Sequence, residues 1–204
     1  MSGFVIEPVG TASTQEIAGL LGRAFAENPL TRACLGRCTA QERLARVTAL
    51  KAGLVDAARR KGTIELVRDG SALAGAQLSF APGAWPLDPR AWISMARGAL
   101  GTGWRGIERY VRYDQHVGRL HPKAPHFYLW VLGVEPRAQG RGIGAALLRT
   151  VIERADSTGA PTYLETDRES SVRLYQRHGF EIERELRVPS FGDLRTWTML
   201  RQPR

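Results

Sequence analysis

The composition of the chain excludes several classes of protein. It has 204 residues, of which 43% are hydrophobic and 24% charged, and its formal net charge is +9. This apolar content argues against a disordered chain, and the length is sufficient for a buried core. No apolar run reaches the roughly 18 residues that span a bilayer, and the first residues lack the basic and apolar blocks of a secretion signal. We therefore expect one domain over residues 1–204, located in the cytoplasm and without a membrane partner.

Neither the cysteines nor the positive charge predicts a further partner. Cys34 and Cys38 have the spacing of half a metal site. The sequence holds no second cysteine pair and its histidines show no HxxxH spacing, so we expect two free thiols and no metal. The arginines are scattered without a basic run or a nucleic-acid-binding motif, so we expect no nucleic-acid partner.

The first 60 residues predict a strand followed by two helices. Gly3–Pro8 has the residues of a short strand. Ser13–Glu16 and Thr39–Glu42 are capping boxes, and each is followed by apolar residues at helical spacing. Asn28-Pro29 interrupts the chain between the two helices.

A hairpin and an irregular segment follow. Ile64–Val67 and Ala72–Phe80 have strand patterns, and Asp69-Gly70 between them favours a tight antiparallel turn. Residues 82–122 keep helical spacing after Asp88-Pro89, which has the residue types of an N-cap and a first helical position. We expect this segment to be a helical insertion that forms a lid or wall.

The last 80 residues predict a β-α-β unit, a short helix and a hairpin. His126–Val134 is nearly all apolar, as in a strand buried on both faces, and a helix with an apolar stripe begins at about Gly142. The remaining predicted elements are a strand at Thr162–Thr166, a helix at Ser170–His178, and strands at Phe180–Val188 and Leu194–Leu200.

The segment from Val134 to Gly144 (VEPRAQGRGIG) joins a predicted buried strand to a helix. Glycines let a backbone approach a ligand closely, and free N–H groups at a helix N-terminus favour phosphate. We therefore expect a pyrophosphate-binding loop; the alternative is a tight helix entry. A dinucleotide fold is disfavoured because five residues separate Val134 from Gly140, and a kinase-type P-loop lacks its lysine.

Two motifs carry a resemblance to a known superfamily. Gln139-x-x-Gly142-x-Gly144 resembles the acetyl-CoA pyrophosphate motif of the GNAT-type N-acetyltransferases, and Leu174-Tyr175 through Gly179-Phe180 resembles their LYxxxGF segment. The resemblance implies an α+β, three-layer GNAT-like fold, with a mixed, mostly antiparallel central sheet flanked by helices and a helical insertion between strands 3 and 4. It also implies acetyl-CoA as co-substrate.

Further segments are similar to the branch of this family that includes puromycin N-acetyltransferase. These segments are Ala24–Pro29, His121–Pro125, Leu164–Thr166 and Arg195–Met199. We take this similarity to indicate the branch and not the acceptor itself.

The resemblance assigns most of the predicted cofactor contacts to the backbone. The residues expected to bind acetyl-CoA are Leu132, Gly133, Val134, Gln139, Gly140, Arg141, Gly142, Ile143, Gly144 and Ala145. In many relatives, an asparagine that lies before the tyrosine in the sequence forms a hydrogen bond with the cofactor. Here Arg168, Ser170 and Ser171 occupy that region, and Ser171 is the expected, weaker substitute.

Acetyl transfer to an amine needs a proton donor for the leaving thiolate and an acceptor for the amine proton. Tyr175 aligns with the family's usual general acid; the alternative is a tyrosine that only packs on the sheet. For the base we favour Glu165, at the end of a buried strand. Its alternative role is to bond backbone amides of the next loop, the other candidate bases are Glu27, His121 and His126, and the amine could also arrive neutral.

Aromatic side chains are candidates for the acceptor pocket. Phe25, Trp85, Tyr128 and Trp130 offer large contact areas, although such residues also form cores, and the predicted substrate-binding set is Phe25, Glu27, Tyr128 and Trp130. The sequence thus predicts an N-acetyltransferase that transfers acetyl from acetyl-CoA directly to a primary amine of a small molecule, as a monomer or homodimer. The alternatives are a protein or peptide N-acetyltransferase and a non-catalytic acyl-CoA-binding domain.

Overall fold

The computed structural model describes residues 4–188, 191, 192 and 194–204, which form a seven-stranded sheet flanked by helices. The strand order is β1-β2-β3-β4-β5-β7-β6, and every neighbouring pair is antiparallel except β4 and β5. The strands are β1 (Ile6–Pro8), β2 (Thr63–Asp69), β3 (Ala72–Phe80), β4 (Phe127–Val134), β5 (Thr162–Thr166), β6 (Glu181–Val188) and β7 (Leu194–Arg201). The predicted fold class is confirmed. Gly3, the first residue of the first predicted strand, lies outside the described residues.

Three of the described helices begin where the capping residues predict. The helices are α1 (Thr14–Phe25), α2 (Pro29–Leu35), α3 (Ala40–Lys61), α4 (Pro89–Leu100), α5 (Trp104–Val117), α6 (Ile143–Thr158) and α7 (Glu169–Gln176). Both capping boxes are formed: Ser13 Oγ accepts from the Glu16 amide at 3.2 Å, and Thr39 repeats this geometry before α3. The side chain of Asp88 caps α4, which with α5 makes up the predicted insertion between β3 and β4. The short helix α2 was predicted only as a chain break, because Asn28-Pro29 reads equally well as a turn.

The two faces of the sheet carry different helices. On one face, Ile17, Leu21 and Val55 of α1 and α3 are fully buried in the larger apolar cluster with β2 and β3. On the other face, α6 buries Leu147 and Leu148 against the sheet. Burial of each such side chain contributes about 2 kcal/mol, which fixes the helices in place and gives the three layers. None of the described helices combines the length and apolar character needed to cross a bilayer.

The parallel strands β4 and β5 separate within the sheet. Their register pairs Phe127 with Thr162 and ends at Leu129 with Leu164, although β4 continues to Val134 and β5 to Thr166. Beyond Leu129, β4 is paired only with β3 on its other side. The two strands therefore leave a gap in the middle of the sheet, with free backbone groups along one edge of β4.

Candidate active site

A cavity of about 450 Å³ fills the gap between β4 and β5. Its walls come from the end of α1, the second half of β4, the loop before α6, the end of β5 and α7. Ten of the eleven predicted cofactor contacts line it: Leu132, Gly133, Val134, Gln139, Gly140, Gly142, Ile143, Gly144, Ala145 and Ser171. Both predicted catalytic residues, Glu165 and Tyr175, line the same cavity.

The loop before α6 presents backbone amides to the cavity. Gly140 and Gly142 have φ values of +79° and +89°, and a Cβ on either would meet no atom within 4 Å. Gly142 is the N-cap of α6 and provides no side chain to cap it, and the first helical bond runs from Ala146 N to Gly142 O. Within the described part of the chain, no acceptor is bonded to the amides of Ile143 and Gly144. A 16-residue helix with an open N-terminus is suited to an anionic group, and the absence of Cβ atoms leaves room for a diphosphate.

The basic residues near this loop differ from the prediction. Arg141 is not among the lining residues, and its guanidinium pairs with Asp69 of the β2–β3 turn. Arg168 and Arg177 line the cavity instead. Arg168 precedes Ser171 in the predicted cofactor region and Arg177 lies within the Leu174–Phe180 motif, but neither was predicted to bind, because they approach the loop only after α7 has packed against β5.

Gly133 has a packing role in addition to its position in the cavity wall. A Cβ at this residue would lie 2.6 Å from Leu21 and 3.1 Å from Phe25, both on α1. The helix therefore contacts the backbone of β4 directly. This contact places the Phe25 ring in the cavity wall.

Tyr175 is buried, with 7% of its surface exposed, and it also lines the cavity. Its ring packs on Phe180 with 5.7 Å between the centroids, so the packing role and the contact with the cavity coexist. Burial, with a smaller contribution from the charge of Asp167, raises the pKa of Tyr175 well above that of an ordinary phenol. The hydroxyl therefore stays protonated over the physiological pH range, as a proton donor requires.

Glu165 lines the cavity from near the end of β5. Its Oε2 accepts a hydrogen bond of 2.7 Å from the Tyr128 hydroxyl, and its Oε1 lies 3.7 Å from His121 Nδ1. Burial and the charge of Glu165 raise the pKa of Tyr128, so this phenol remains a donor. The partner of Glu165 is thus a side chain and not the backbone amides of the next loop.

The predicted acceptor residues separate into three groups. Phe25 and Trp130 line the cavity. Tyr128 lies behind the wall with Trp85, whose ring centroid is 5.0 Å from that of Tyr128 and 5.8 Å from that of Trp130. Glu27 lies outside the cavity and is paired with Arg43 and Arg32, whose hydrogen bonds lower its pKa and make it a poor base.

Asp167 connects the loop after β5 to the start of α2. It accepts a hydrogen bond of 2.7 Å from the Leu30 amide and one of 3.4 Å from Asn28 Nδ2. Both Asp167 and Asn28 line the cavity, and sequence reasoning identified neither. Asp167 supplies the cap that the Asn28 side chain does not provide.

Lys51 is a buried cation that contacts Phe25 and is not itself among the residues that line the cavity. Only 9% of its surface is exposed, and its Nζ lies 3.8 Å from the centroid of the Phe25 ring. Burial lowers the pKa of Lys51 to about 8, although the charge of Asp167 acts in the opposite direction.

Cys34 and Cys38 are free thiols and do not line the cavity. Cys34 packs in a small apolar cluster with Val188 and Leu194. Its burial raises the pKa to about 12, which keeps the thiol protonated and unreactive.

Comparisons with known proteins agree with this geometry. Residues 84–180 match the model of the Acetyltransferase (GNAT) family. A solved structure described as histone acetyltransferase HPA2 and related acetyltransferase from Corynebacterium glutamicum is similar along 98% of this chain and 97% of its own, with a TM-score of 0.72 and 25% identity. The chain therefore has the GNAT fold, and residues 84–180, just under half of its length, are similar to the Acetyltransferase (GNAT) family.

The curated relatives match over shorter segments. A mycothiol acetyltransferase of Mycobacterium sp. (strain JLS) is 41% identical over 61 residues, which cover 26% of this chain and 20% of the relative. The N-alpha-acetyltransferase RimI of Mycobacterium tuberculosis is 34% identical over 92 residues, which cover 44% of this chain and 51% of RimI. The chain thus spans between a fifth and a half of these relatives. Their names do not point to the puromycin branch, which stays a prediction.

Proposed function

We propose that the protein is an acetyl-CoA-dependent N-acetyltransferase that acts on a primary amine of a small molecule. The observation that carries this proposal is that one cavity contains the open N-terminus of α6, the carboxylate of Glu165 and the hydroxyl of Tyr175. Bound acetyl-CoA supplies the acetyl group as a thioester. The protein supplies the contacts and the proton transfers.

The side of the cavity near α6 is suited to hold the cofactor. The free amides of Ile143 and Gly144 would bind the diphosphate, with the guanidinium of Arg177 on the same cavity. The edge of β4 from Leu132 to Val134 would bond the pantetheine amides, as a further strand does at a sheet edge, although Gln139 Nε2 already donates to the Val134 carbonyl at 3.1 Å. Ser171 lines the cavity at the start of α7 and remains the proposed replacement for the asparagine of relatives.

The side chains near the other wall are suited to the chemistry. Glu165 would accept the proton that an ammonium group loses before attack, and Tyr175 would protonate the leaving sulfur. No cysteine is among the residues that line the cavity, which supports direct transfer in a ternary complex. Phe25 and Trp130 would contact the acceptor.

The size and walls of the cavity favour a small acceptor. The acceptor side is enclosed by Phe25, by Asn28 at the start of α2 and by Trp130. The mycothiol acetyltransferase relatives also support a small molecule. The alternative is a protein or peptide amine, which the match to an N-alpha-acetyltransferase supports.

The proposal is tested by incubating the protein with acetyl-CoA and a panel of small amines while free thiol is measured. We expect thiol release that depends on the amine, together with an acetylated product in the mass spectrum. A parallel incubation with a peptide library distinguishes the alternative, because acetylated peptides without any small product would reverse the assignment. Calorimetry that detects no binding of acetyl-CoA would contradict both, and binding without any turnover would favour a non-catalytic acyl-CoA-binding domain.

A further inference from the structure

Two histidines lie behind Glu165, on the side away from the cavity. His126 Nδ1 is 2.7 Å from the carbonyl oxygen of Ala124, and His126 Nε2 is 3.1 Å from His121 Nε2. The other nitrogen of His121, Nδ1, faces Glu165 Oε1 at 3.7 Å. A continuous line of polar atoms therefore runs from a backbone carbonyl to the carboxylate that lines the cavity.

The chemistry of these atoms fixes where the hydrogens are. A carbonyl oxygen only accepts, so His126 carries its hydrogen on Nδ1. A neutral imidazole has one N–H, so His126 Nε2 accepts a hydrogen bond, and His121 must donate from its own Nε2. Burial lowers the pKa of His126, which favours the neutral ring that this assignment uses.

This assignment leaves one contact in the line of polar atoms without a hydrogen, and that contact is next to the cavity. With Nε2 protonated, a neutral His121 presents a lone pair on Nδ1 to Glu165 Oε1, which is also an acceptor. The two atoms are 3.7 Å apart, which is longer than a hydrogen bond. Because the Tyr128 hydroxyl already donates to Oε2, the pair of Glu165 and His121 can bind one more proton between Oε1 and Nδ1.

Aromatic side chains hold His121 in this orientation. The centroid of its ring is 4.7 Å from that of Tyr128, 5.0 Å from that of Tyr163 and 5.5 Å from that of Trp85. Its side chain is 13% exposed. The ring therefore has little room to rotate, and Nδ1 stays directed at Glu165.

Other titratable groups face the pair from three elements. Tyr163 of β5 and Tyr113 of α5 have pKa values that burial raises, so both are neutral phenols over the working range. Asp114 of α5 is an exposed residue, and partial burial of its carboxyl group together with the charge of Glu165 raises its pKa. Glu183 of β6 acts on His126 by its charge. The two further carboxyl groups favour a positive charge on the histidines once a proton arrives.

We propose that His121 completes the base of this enzyme: the proton that the amine loses passes to Glu165 and is shared with Nδ1 of His121, whose free lone pair is fixed at that nitrogen by His126. This inference rests on the proposed function. Glu165 is the residue that touches the substrate, and His121 and His126 are positioning residues that act through it.

The proton balance defines what this pair does. Acetylation of an ammonium group breaks two N–H bonds and the C–S bond, and forms one N–C bond and one S–H bond. The electron pair of the first N–H bond stays on nitrogen and makes it a nucleophile. Its proton goes to the pair of Glu165 and His121, which changes from one negative charge to neutral, and is later released to solvent. Tyr175 gives its hydroxyl proton to the CoA sulfur, and the second proton from nitrogen restores that hydroxyl.

The first test does not depend on activity. Long-range ¹H–¹⁵N NMR spectra of the histidine rings report which nitrogen carries the hydrogen. At a pH above the ordinary titration of histidine, about 8, we expect His121 to be protonated on Nε2 and His126 on Nδ1. A hydrogen on Nδ1 of His121, or on Nε2 of His126, would overturn the proposal even if the protein is an acetyltransferase.

The second test uses the pH dependence of kcat/KM for the amine in His121→Gln, His126→Gln and the control His116→Gln, which alters an exposed histidine on α5. In His121→Gln we expect a plateau lowered at least tenfold and an acidic limb moved to lower pH, because the proton then has only the Glu165 carboxylate to bind. In His126→Gln we expect the plateau of kcat/KM to fall several-fold and the Nδ1–H form of His121 to appear in the NMR spectrum. In His116→Gln we expect no change in the plateau or in the His121 tautomer.

A lowered plateau with an unmoved acidic limb in His121→Gln would show a structural role only and would overturn the proposal. The two hypotheses fail differently. If the wild-type protein turns over no amine, the proposed function fails, and the tautomers of the wild-type protein still decide whether the histidines are arranged as proposed.

Discussion

One end of the cavity is formed mainly by backbone groups, and the other end is formed mainly by side chains. The end near α6 consists of backbone: free amides of Ile143 and Gly144, two glycines in the left-handed region and the free edge of β4. The acceptor end consists of side chains from α1, α2, β4 and β5, supported by α3 and by the insertion. A site made of backbone can be encoded by one contiguous loop, whereas a site made of side chains depends on how distant segments pack.

Tyr175 is the proposed proton donor of the cavity, so its removal is expected to have the largest effect. Tyr175→Phe keeps the ring on Phe180 and removes only the proton donor, so kcat should fall by about 10² to 10³ while the KM for acetyl-CoA changes little. Steady-state kinetics with both substrates measure this. The control is Tyr110→Phe, another tyrosine whose pKa burial raises but which lies outside the cavity. An unchanged kcat in Tyr175→Phe would remove this residue from the mechanism.

A substitution of Lys51 tests whether burial of this charged side chain next to Phe25 lowers the stability of the fold. Below about pH 8 the lysine is charged in both the folded and the unfolded chain, and the fold carries the whole cost of burying the charge. Between that pH and the unfolded pKa of 10.5, the folded lysine is neutral and this cost disappears. The stability of the wild-type protein relative to Lys51→Met should therefore rise by about 3 kcal/mol from pH 7 to pH 10.5.

Denaturant unfolding at several pH values measures this difference. The titration of the buried tyrosines is common to both proteins and cancels in the comparison. Lys61→Met, an exposed lysine at the end of α3, should show no such dependence. A wild-type and Lys51→Met difference that stays flat with pH would mean that Lys51 is not desolvated in solution.

Gly142 tests the backbone end. An alanine at φ of +89° is strained, so Gly142→Ala should lose about 1 kcal/mol of stability and bind acetyl-CoA about tenfold more weakly. Gly70→Ala is the matched control, because Gly70 has φ of +63°, has equally open surroundings and lies in the hairpin turn away from the cavity. Calorimetry should show weakened binding only for Gly142→Ala. Equal binding by both variants would argue against a role for this loop in holding the cofactor.

Asp167 gives the smallest expected effect. Asp167→Ala removes the cap on the Leu30 amide, so stability should fall by about 1 kcal/mol and the KM for the amine should rise several-fold. Acetyl-CoA affinity should remain within about twofold, because the α6 end is untouched. Asp167→Asn retains an acceptor oxygen and should recover most of the loss. A change in acetyl-CoA affinity as large as that in the amine KM would show that the two ends are not separable.

The sequence predicted the fold more completely than the site. Local signals located the helices: the capping boxes at Ser13 and Thr39 and the N-cap at Asp88 are all formed. The loop from Gly140 to Gly144 could also be predicted, since its conformation is a property of consecutive residues. Arg141 was predicted to bind the cofactor, but its side chain points away from the cavity and bonds to Asp69, which is 72 residues away in the sequence.

The acceptor end could be predicted only in part. Glu165 was identified because it ends a predicted buried strand near the cofactor loop. Alternation along the preceding strand places Trp130 and Tyr128 on one face, but only Trp130 lines the cavity. Asp167, Asn28 and Lys51 could not be identified, because each acts through a contact with a residue far along the chain. Glu27 follows Phe25 by only two residues, yet α1 ends between them and its side chain meets arginines outside the cavity.

The separation of β4 and β5 divides the sheet into two halves, and we call the line between them the seam. The two strands are paired at three positions only. Beyond these, side chains and helices join the halves of the molecule, among them α6, the contact of Asp167 with α2, the bond from Tyr128 to Glu165 and the packing of Cys34 on β6 and β7. A ligand that lies across the seam and bonds to both sides acts as a missing strand. Occupancy of the cleft is thereby linked to the rigidity of the whole sheet, so filling it should slow amide hydrogen exchange in β4 and β5 well beyond the residues in contact.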